Sequence, residues 1–132
     1  MNEMLRRQEA LNKTLVKYRN RPLDFKTADC VRAARFHLVQ MGHKPPPMPR
    51  YRSLIGAVRA AEKVGGLEAL LDGLLPRIAP AAMWLGDIAL LEGDGGLDAI
   101  VFNVGHKLAG WHQDAERMVN MTAPSVKGAW RV

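Results

Sequence analysis

The sequence predicts one α+β domain, with N-terminal helices packed on a C-terminal antiparallel β-meander. Two patterns predict this class. Apolar residues recur with the period of amphipathic helices over residues 3–75, whereas from Gly86 onward short apolar segments alternate with glycine-containing turns. Separate helical and strand regions are typical of the α+β class. With 132 residues, 48% of them hydrophobic, the chain is long enough for a single domain with its own core.

The first two helices are predicted over residues 3–19 and from Thr27 to about Met41. One face of the first helix carries Met4, Leu11, Leu15 and Tyr18. Thr27 can cap the second helix at its start, and Gly42 is placed to end it as the C′ residue.

The next two helices follow a proline-rich linker, residues 43–49, which we expect to be extended. Ser53 caps the third helix, which runs to about Val64. Its inward-facing residues are Leu54, Val58 and Ala61. Residues 67–75 form a short, strongly apolar fourth helix that Pro76 closes.

Five strands are predicted after Gly86. They span residues 87–92, 100–104, 107–111, 119–121 and 128–132. The first two are joined by Gly93–Gly96, a glycine-rich hairpin signal. No helix with Lys-Ser/Thr follows it, so we interpret it as a turn and not as a phosphate-binding loop.

The composition indicates where the chain folds. No stretch approaches the roughly 20 apolar residues that span a bilayer. Residues 1–18 carry charges throughout, where a signal peptide would have an apolar core. Cys30 is the only cysteine, which rules out an internal disulfide and fits a reducing compartment. We therefore expect the protein to fold in a cytoplasm.

Positive charge is concentrated in the first half of the chain. Residues 1–63 contain 14 of the 19 basic residues but only 5 of the 13 acidic ones. The basic residues are dispersed rather than consecutive, so we interpret them as solvated helix faces that also contact another protein. A nucleic-acid surface is the alternative, and it would need these side chains to converge on one face.

The three tryptophans are large side chains that serve either as core anchors or as interface hot spots. They are Trp84, Trp111 and Trp130. Because Trp130 is two residues from the end of the sequence, where chains fray unless something holds them, an interface role is favoured more for it than for the other two.

Cys30 is the candidate nucleophile. A cap at Thr27 puts it in the first turn of the second helix, where backbone N–H groups and the helix dipole lower the pKa of a thiol. The histidines, which could supply a base or a metal ligand, are His37, His43, His106 and His112. No two of them are three or four residues apart, the spacing of ligands on one helix face. We expect neither a metal nor a cofactor.

Short motifs surround the candidate nucleophile and follow it along the chain. They are Pro22 and Phe25 ahead of Asp29-Cys30, then Arg50-Tyr51, Gly65-Gly66, Gly86-Asp87 and Trp130-Arg131. This order resembles the NlpC-type papain-like cysteine peptidases, and more closely a branch of that fold found in phage and prophage tail gene modules. On this resemblance, residues 1–132 are a single domain. Residues 22–132 are its NlpC-like core, and residues 1–21 are an extra N-terminal amphipathic helix.

The resemblance implies four catalytic positions, of which this sequence retains one. Cys30 stands at the nucleophile position, but the histidine position at the start of the second strand holds Asp98. The position that orients the histidine falls near Gly110, and the oxyanion-binding tyrosine position falls near Leu23. A carboxylate would repel a thiolate and cannot act as an imidazole does. His112 is the remaining candidate base, because it would share a strand face with Gly110.

The resemblance implies a structural or assembly component of a phage tail, at the tail tip, built on a catalytically degenerate NlpC-like fold. It also implies other phage tail proteins as partners, with assembly in the host cytoplasm before incorporation into the virion. Two alternatives stay open. One is an active cysteine hydrolase that cleaves peptidoglycan or a tail protein with Cys30 and His112. The other is a basic, nucleic-acid-binding accessory protein.

Overall fold

A computed structural model of the chain describes residues 2–93, 95–112, 115–123 and 125–132. The helices in these ranges are α1 (Glu3–Tyr18), α2 (Cys30–Gln40), α3 (Leu54–Lys63) and α4 (Leu67–Leu74). The strands are β1 (Arg77–Ile78), β2 (Ile88–Leu91), β3 (Ala99–Asn103), β4 (Leu108–Gly110), β5 (Val119–Met121) and β6 (Gly128–Trp130). A 3-10 turn at Pro80–Ala82 separates β1 from β2. The predicted α+β class is confirmed.

The strands form one sheet in the order β1-β6-β2-β3-β4-β5, and all neighbouring pairs are antiparallel. Strands β2 to β5 follow one another as the predicted meander, whereas β6 returns to lie between β1 and β2. Strand β1 was not predicted, because two residues are too few to show an alternating pattern. The turn predicted at Gly93–Gly96 contains Asp94, which lies outside the described residues.

Strand alternation gives the sheet two faces, and both are buried. The face toward the helices carries Ile88, Leu90, Ile100, Phe102 and Trp130. The opposite face carries Ala89, Val101, Leu108 and Ala129. The side chains packed on that opposite face are Ile78, Met83, Leu91, Met121, Ala123 and Val126. Because α2 lies against α1 and against β3, the helices cover the first of these faces.

Helix α1 buries most of its predicted stripe. Leu11, Leu15 and Tyr18 are buried, whereas Met4, near the start of the helix, is 51% exposed. Arg7 takes the place expected of an apolar residue and is only 1% exposed. An arginine tolerates this burial because its guanidinium reaches a buried carboxylate and backbone carbonyls.

Helix α2 begins three residues later than predicted, with Asp29 as its cap instead of Thr27. The Asp29 carboxylate accepts from the Arg32 backbone N–H at 2.9 Å. Thr27 belongs to a preceding turn, where its hydroxyl donates to Asp24 at 3.2 Å. The predicted end is confirmed. Gly42 has a φ of +89° and donates to the Val39 carbonyl, a conformation that favours glycine.

Helix α3 is capped by Ser53 as predicted, since the serine Oγ accepts from the Gly56 N–H at 3.1 Å. Fewer of its side chains are buried than predicted, since among the described ones only Ala57 is buried. The residues predicted to face inward, Leu54, Val58 and Ala61, are half-buried. Helix α4 ends two residues before Pro76, as the proline requires.

Trp130 lies in the interior of the sheet. It is fully buried in β6, opposite Ile88, and its indole N–H donates to Asp72 at 2.9 Å. The interface role favoured for it is therefore wrong, since pairing of β6 between two strands holds this end of the chain. None of the helices in the described ranges has the length and apolar character needed to span a membrane.

Candidate functional site

Cys30 is the first residue of α2 and lies where that helix meets the start of β3. Its side chain is partly buried and packs against the core on the helix side of the sheet. The Ile100 backbone N–H lies within reach of the thiol. Cys30 thus lies at a helix start, as the sequence predicted, and next to the start of a strand, which the sequence did not predict.

The surroundings of Cys30 oppose ionisation of the thiol. Burial, together with the adjacent Asp29 carboxylate, raises the pKa of Cys30 to about 12, although the backbone N–H groups of Ile100 and Val31 act in the opposite direction. The N–H groups at the helix start lower this pKa as predicted, but the expectation that the thiol has a lowered pKa overall is wrong. The helix start is present, but its cap is a carboxylate, and loss of water outweighs the dipole.

Three residues singled out from the sequence border one cavity of about 480 Å³. They are Cys30, Asp98 and His112. Most of the remaining lining is apolar, with Leu23, Phe25, Leu54, Leu97, Val101, Trp111 and Met121 among it. Among the described residues, no hydrogen bond joins the Cys30 thiol to Asp98 or to His112. The fold therefore brings the candidates together around a space without linking them into a catalytic chain.

Asp98 immediately precedes β3, the position where a catalytic histidine was sought. Its carboxylate accepts from the Lys127 ammonium at 2.7 Å, and this contact raises the pKa of Lys127. The carboxylate is thus directed to a lysine across the sheet. It offers Cys30 no proton acceptor with the properties of an imidazole.

Gly110 lies on the face of the sheet away from Cys30. Ala109 in β4 and Trp111 directly after it pack on the helix side, while Leu108 packs on the opposite side. A Cβ built on Gly110 would come within 2.6 Å of a Val101 methyl group, which also belongs to the opposite side. The position assigned to the orienting residue therefore has neither the right direction nor room for a side chain.

His112 is exposed and lies two residues beyond Gly110. The prediction placed it on the same strand face as the orienting position. Since that face points away from Cys30, alternation along β4 supplies no reason for the imidazole to approach the thiol. The relation between His112 and Cys30 is that both line the same cavity. Leu23, at the tyrosine position, also lines the cavity and has no hydroxyl to bind an oxyanion.

A buried polar cluster, here called the Asp29 cluster, joins Asp29, Arg32 and Tyr51. Asp29 is 1% exposed, and its carboxylate accepts from the Tyr51 hydroxyl at 2.9 Å and from the Arg32 guanidinium. Arg32 also donates to the Phe25 carbonyl at 2.8 Å, and its guanidinium lies 4.5 Å from the centre of the Tyr51 ring. The cluster ties the start of α2 to both flanking loops.

A second buried cluster, here called the Asp87 cluster, joins α1 to the sheet and to the residues after β6. Asp87 is fully buried and pairs with Arg7 at 2.9 Å and with Arg131 at 2.8 Å. The same carboxylate accepts from the Val132 and Trp84 backbone N–H groups at 2.9 and 2.7 Å. Two cations and two N–H groups thus satisfy one carboxylate.

His37 is a buried histidine next to the Asp87 cluster. Its Nε2 lies 2.7 Å from the Gly86 carbonyl oxygen, which can only accept, so Nε2 carries a proton. Its Nδ1 lies 3.1 Å from the Thr14 hydroxyl. Burial lowers the pKa of His37. The side chain links α1, α2 and the sheet, and it lies outside the Cys30 cavity.

Most of the motifs that carried the resemblance are contact partners of one another. Asp29 meets Tyr51 in the first cluster, and Asp87 meets Arg131 in the second. Sequence reasoning identified these residues but missed the contacts. One feature of the sequence indicates such a contact. Arg7 lies one helical turn before Leu11 on the apolar face of α1, and an arginine buried there needs a buried partner.

The comparison with protein families now identifies the domain. The chain belongs to the DUF6950 family, a domain of unknown function. The family model matches residues 4–132. The DUF6950 match therefore begins within α1 and includes Arg7 together with every other member of both buried clusters. No curated protein matches the sequence at a significant level.

Proposed function

We propose that this DUF6950 domain is a structural component of a phage tail, built on an NlpC-type papain-like fold that has lost catalysis. The proposal that catalysis has been lost rests on the environment of the Cys30 thiol. Its thiol has a pKa raised to about 12 and no hydrogen-bonded base among the described residues. The tail assignment is supported by the order of motifs along the chain.

The arrangement of elements supports the NlpC-type interpretation. In that fold a cysteine starts a helix that packs on an antiparallel sheet, and Gly-Asp precedes the first strand of the meander. Here Cys30 starts α2, and Gly86-Asp87 precedes β2. Asp98 then stands directly before β3, at the border of the cavity that contains Cys30. Cys30 and Asp98, the residues at the proposed nucleophile and base positions, therefore line the same cavity.

The proposed contacts with neighbouring tail proteins involve the outward face of α1 and the proline-rich segment. Met4, Leu5 and Val16 are 51%, 50% and 87% exposed on that helix. The exposed Lys13 and Lys17 lie on the same helix, which suits an acidic partner surface. In the proline-rich segment, Pro45, Pro46, Pro47 and Pro49 have no backbone N–H with which to pair into a sheet.

The tail assignment is tested in a host strain that carries the gene in an inducible prophage. An epitope-tagged chain is expected in purified tails at a constant ratio to the major tail protein, by quantitative mass spectrometry. Cys30→Ala is expected to leave tail yield and length unchanged, whereas deletion of the gene abolishes complete tails. Normal tails after deletion, together with absence of the tagged chain from particles, would overturn the assignment.

The base position is tested by Asp98→His. If Asp98 occupies the former base position, an imidazole there accepts the thiol proton and speeds alkylation of Cys30 near neutral pH, by about tenfold or more. Asp98→Asn is the matched control, since it removes the same charge without adding a base. Equal alkylation rates in the two variants contradict the placement of the base position.

An active cysteine hydrolase is the second candidate, and the shared cavity of Cys30 and His112 is the observation that favours it. The wild-type protein, Cys30→Ala and His112→Ala would be incubated with purified peptidoglycan and with disassembled tails. The non-catalytic proposal expects no cleavage by any of the three proteins. Cleavage by the wild type that both variants abolish would replace the proposal with the hydrolase.

A further inference from the structure

A second groove, separate from the Cys30 cavity, lies between α2, the proline-rich segment, α3 and α4. We call it the proline groove. Its volume is about 540 Å³. The apolar lining includes Leu38, Pro45, Pro46, Ala60, Leu71 and Ile100. None of the catalytic mechanisms considered above uses this groove, whereas the proposed tail contacts involve the proline-rich segment that forms one of its walls.

The floor of the proline groove reaches the hydrophobic core. Leu38, Leu71 and Ile100 line it and are 4%, 2% and 3% exposed. The wall formed by α3 consists largely of small residues, with Ala57 and Ala60 facing the groove. Short side chains on that wall keep the groove open, which is why α3 is less buried than its sequence predicts.

The opposite wall is held in place by Arg35. Its guanidinium donates to the Pro46 carbonyl at 2.8 Å and to the Pro45 carbonyl at 3.4 Å. Because prolines have no N–H, this wall presents pyrrolidine rings to a ligand without unpaired backbone donors. The wall is thus apolar and fixed to α2.

All charged side chains that line the proline groove are basic. They are Arg35, Arg50, Arg59 and Lys63. Arg50, Arg59 and Lys63 are exposed, and none of them forms an ion pair within the described part of the chain. An apolar groove bordered by cations complements a molecule with an apolar body and an anionic group.

We propose that the proline groove binds a small amphiphile, a single apolar chain with a carboxylate. The floor would take the apolar chain, while Arg59 and Lys63 would bind the carboxylate. The volume lies within the range of small-molecule sites, about 300 to 1,000 Å³. A docked protein would instead need about 800 Å² of surface on each side. This inference does not depend on the proposed tail function.

The test uses laurate below its micelle concentration and isothermal titration calorimetry with the full chain. One saturable site is expected. Ala60→Trp fills the groove and is expected to weaken laurate binding by about tenfold or more. Circular dichroism and the melting temperature establish that this variant folds.

A second, surface variant keeps the test decisive if Ala60→Trp fails to fold. Arg59→Gln/Lys63→Gln is expected to weaken laurate about tenfold and to leave binding of the uncharged dodecanol within about twofold. Lys13→Gln/Arg117→Gln removes the same charge from exposed positions that do not line the groove, and it is expected to bind laurate as the wild type does.

Three results would overturn the proposal. The first is absence of saturable laurate binding. The second is equal binding by the wild type and the Arg59→Gln/Lys63→Gln variant. The third is protection of groove residues in NMR titrations by an acidic amphipathic peptide or by anionic vesicles but not by laurate, which would assign the groove to a protein or a bilayer surface.

Discussion

At the scale of single residues, the Cys30 thiol is the group whose chemistry can be measured most directly. Its pKa of about 12 means that the thiolate is scarce at every pH below 9. Alkylation of the native protein from about pH 5 to pH 9 is therefore expected to be slow and to show no plateau, unlike a free thiol of pKa about 8.5. Unfolding in denaturant is expected to restore the rate of a free thiol.

The matched control for this measurement is Cys30→Ala/Val16→Cys, which places the single thiol on a residue that is 87% exposed. That variant is expected to react like a free cysteine in the native state. A plateau for native wild-type protein below about pH 8.5 would show an activated nucleophile and would support the hydrolase.

His37 gives a second residue-scale prediction, on the pH dependence of stability. Its pKa is lowered by burial, so the unfolded chain binds a proton at an ordinary pKa of about 6.5 while the native protein does not. The contribution of His37 to the free energy of unfolding is therefore present above that pH and is lost as the pH falls toward the native pKa.

Urea denaturation of wild type and His37→Gln from pH 7.5 to 5 measures this contribution. The difference between the two free energies of unfolding is expected to shrink as the pH falls. His106→Gln changes an exposed histidine in the turn after β3, and it is expected to keep the wild-type pH dependence. Parallel curves for wild type and His37→Gln would contradict the prediction.

At the scale of the elements, the start of α2 depends on a contact that is distant in sequence. The Tyr51 hydroxyl donates to Asp29 at 2.9 Å, and burial raises the pKa of Tyr51, so the donor stays protonated. Tyr51→Phe removes this bond and is expected to lower the free energy of unfolding by about 1.5–3 kcal/mol, the range for a hydrogen bond to a charged group.

Tyr18→Phe is the matched control for Tyr51→Phe. Tyr18 is also buried, but among the described residues no hydrogen bond to its hydroxyl is found. We expect urea denaturation to show a change of less than about 0.5 kcal/mol for this variant. Equal losses in both variants would mean that the Tyr51 effect comes from the ring environment rather than from Asp29.

The ends of the helices show which element boundaries local sequence can predict. Ser53 and Gly42 act within three residues of the N–H or carbonyl groups that they satisfy, and both assignments are confirmed. Thr27 and Asp29 are both suitable caps by residue type. The choice between them depended on Arg32 and Tyr51, and Tyr51 is 22 residues away from Asp29.

At the scale of the whole molecule, the Asp87 cluster joins the first helix to the sheet and to the residues that follow β6. Asp87→Asn removes the buried carboxylate partner of Arg7, which is only 1% exposed, and leaves it, among the described residues, only the half-exposed Glu3 carboxylate at 3.2 Å. We expect the free energy of unfolding to fall by about 3–5 kcal/mol, as when one partner of a buried ion pair is removed.

The control for this loss is Asp98→Asn, which breaks the more exposed pair with Lys127. It is expected to cost less than about 1 kcal/mol, and less still at high salt. The measurement is urea denaturation of both variants with comparable m-values. A similar small loss for the two variants would show that the Asp87 cluster does not hold α1 on the sheet.

By itself, the sequence determined the α+β class, the helices, five of the strands and the position of Cys30 at a helix start. These features depend on periodicity and on caps, turns and glycines that act over a few residues. Only the tertiary structure decided the insertion of β6 between β1 and β2, the burial of Trp130 and the partners of Arg7. It also decided the chemistry of Cys30, because burial and a neighbouring carboxylate, which depend on packing between distant segments, set the pKa of a thiol.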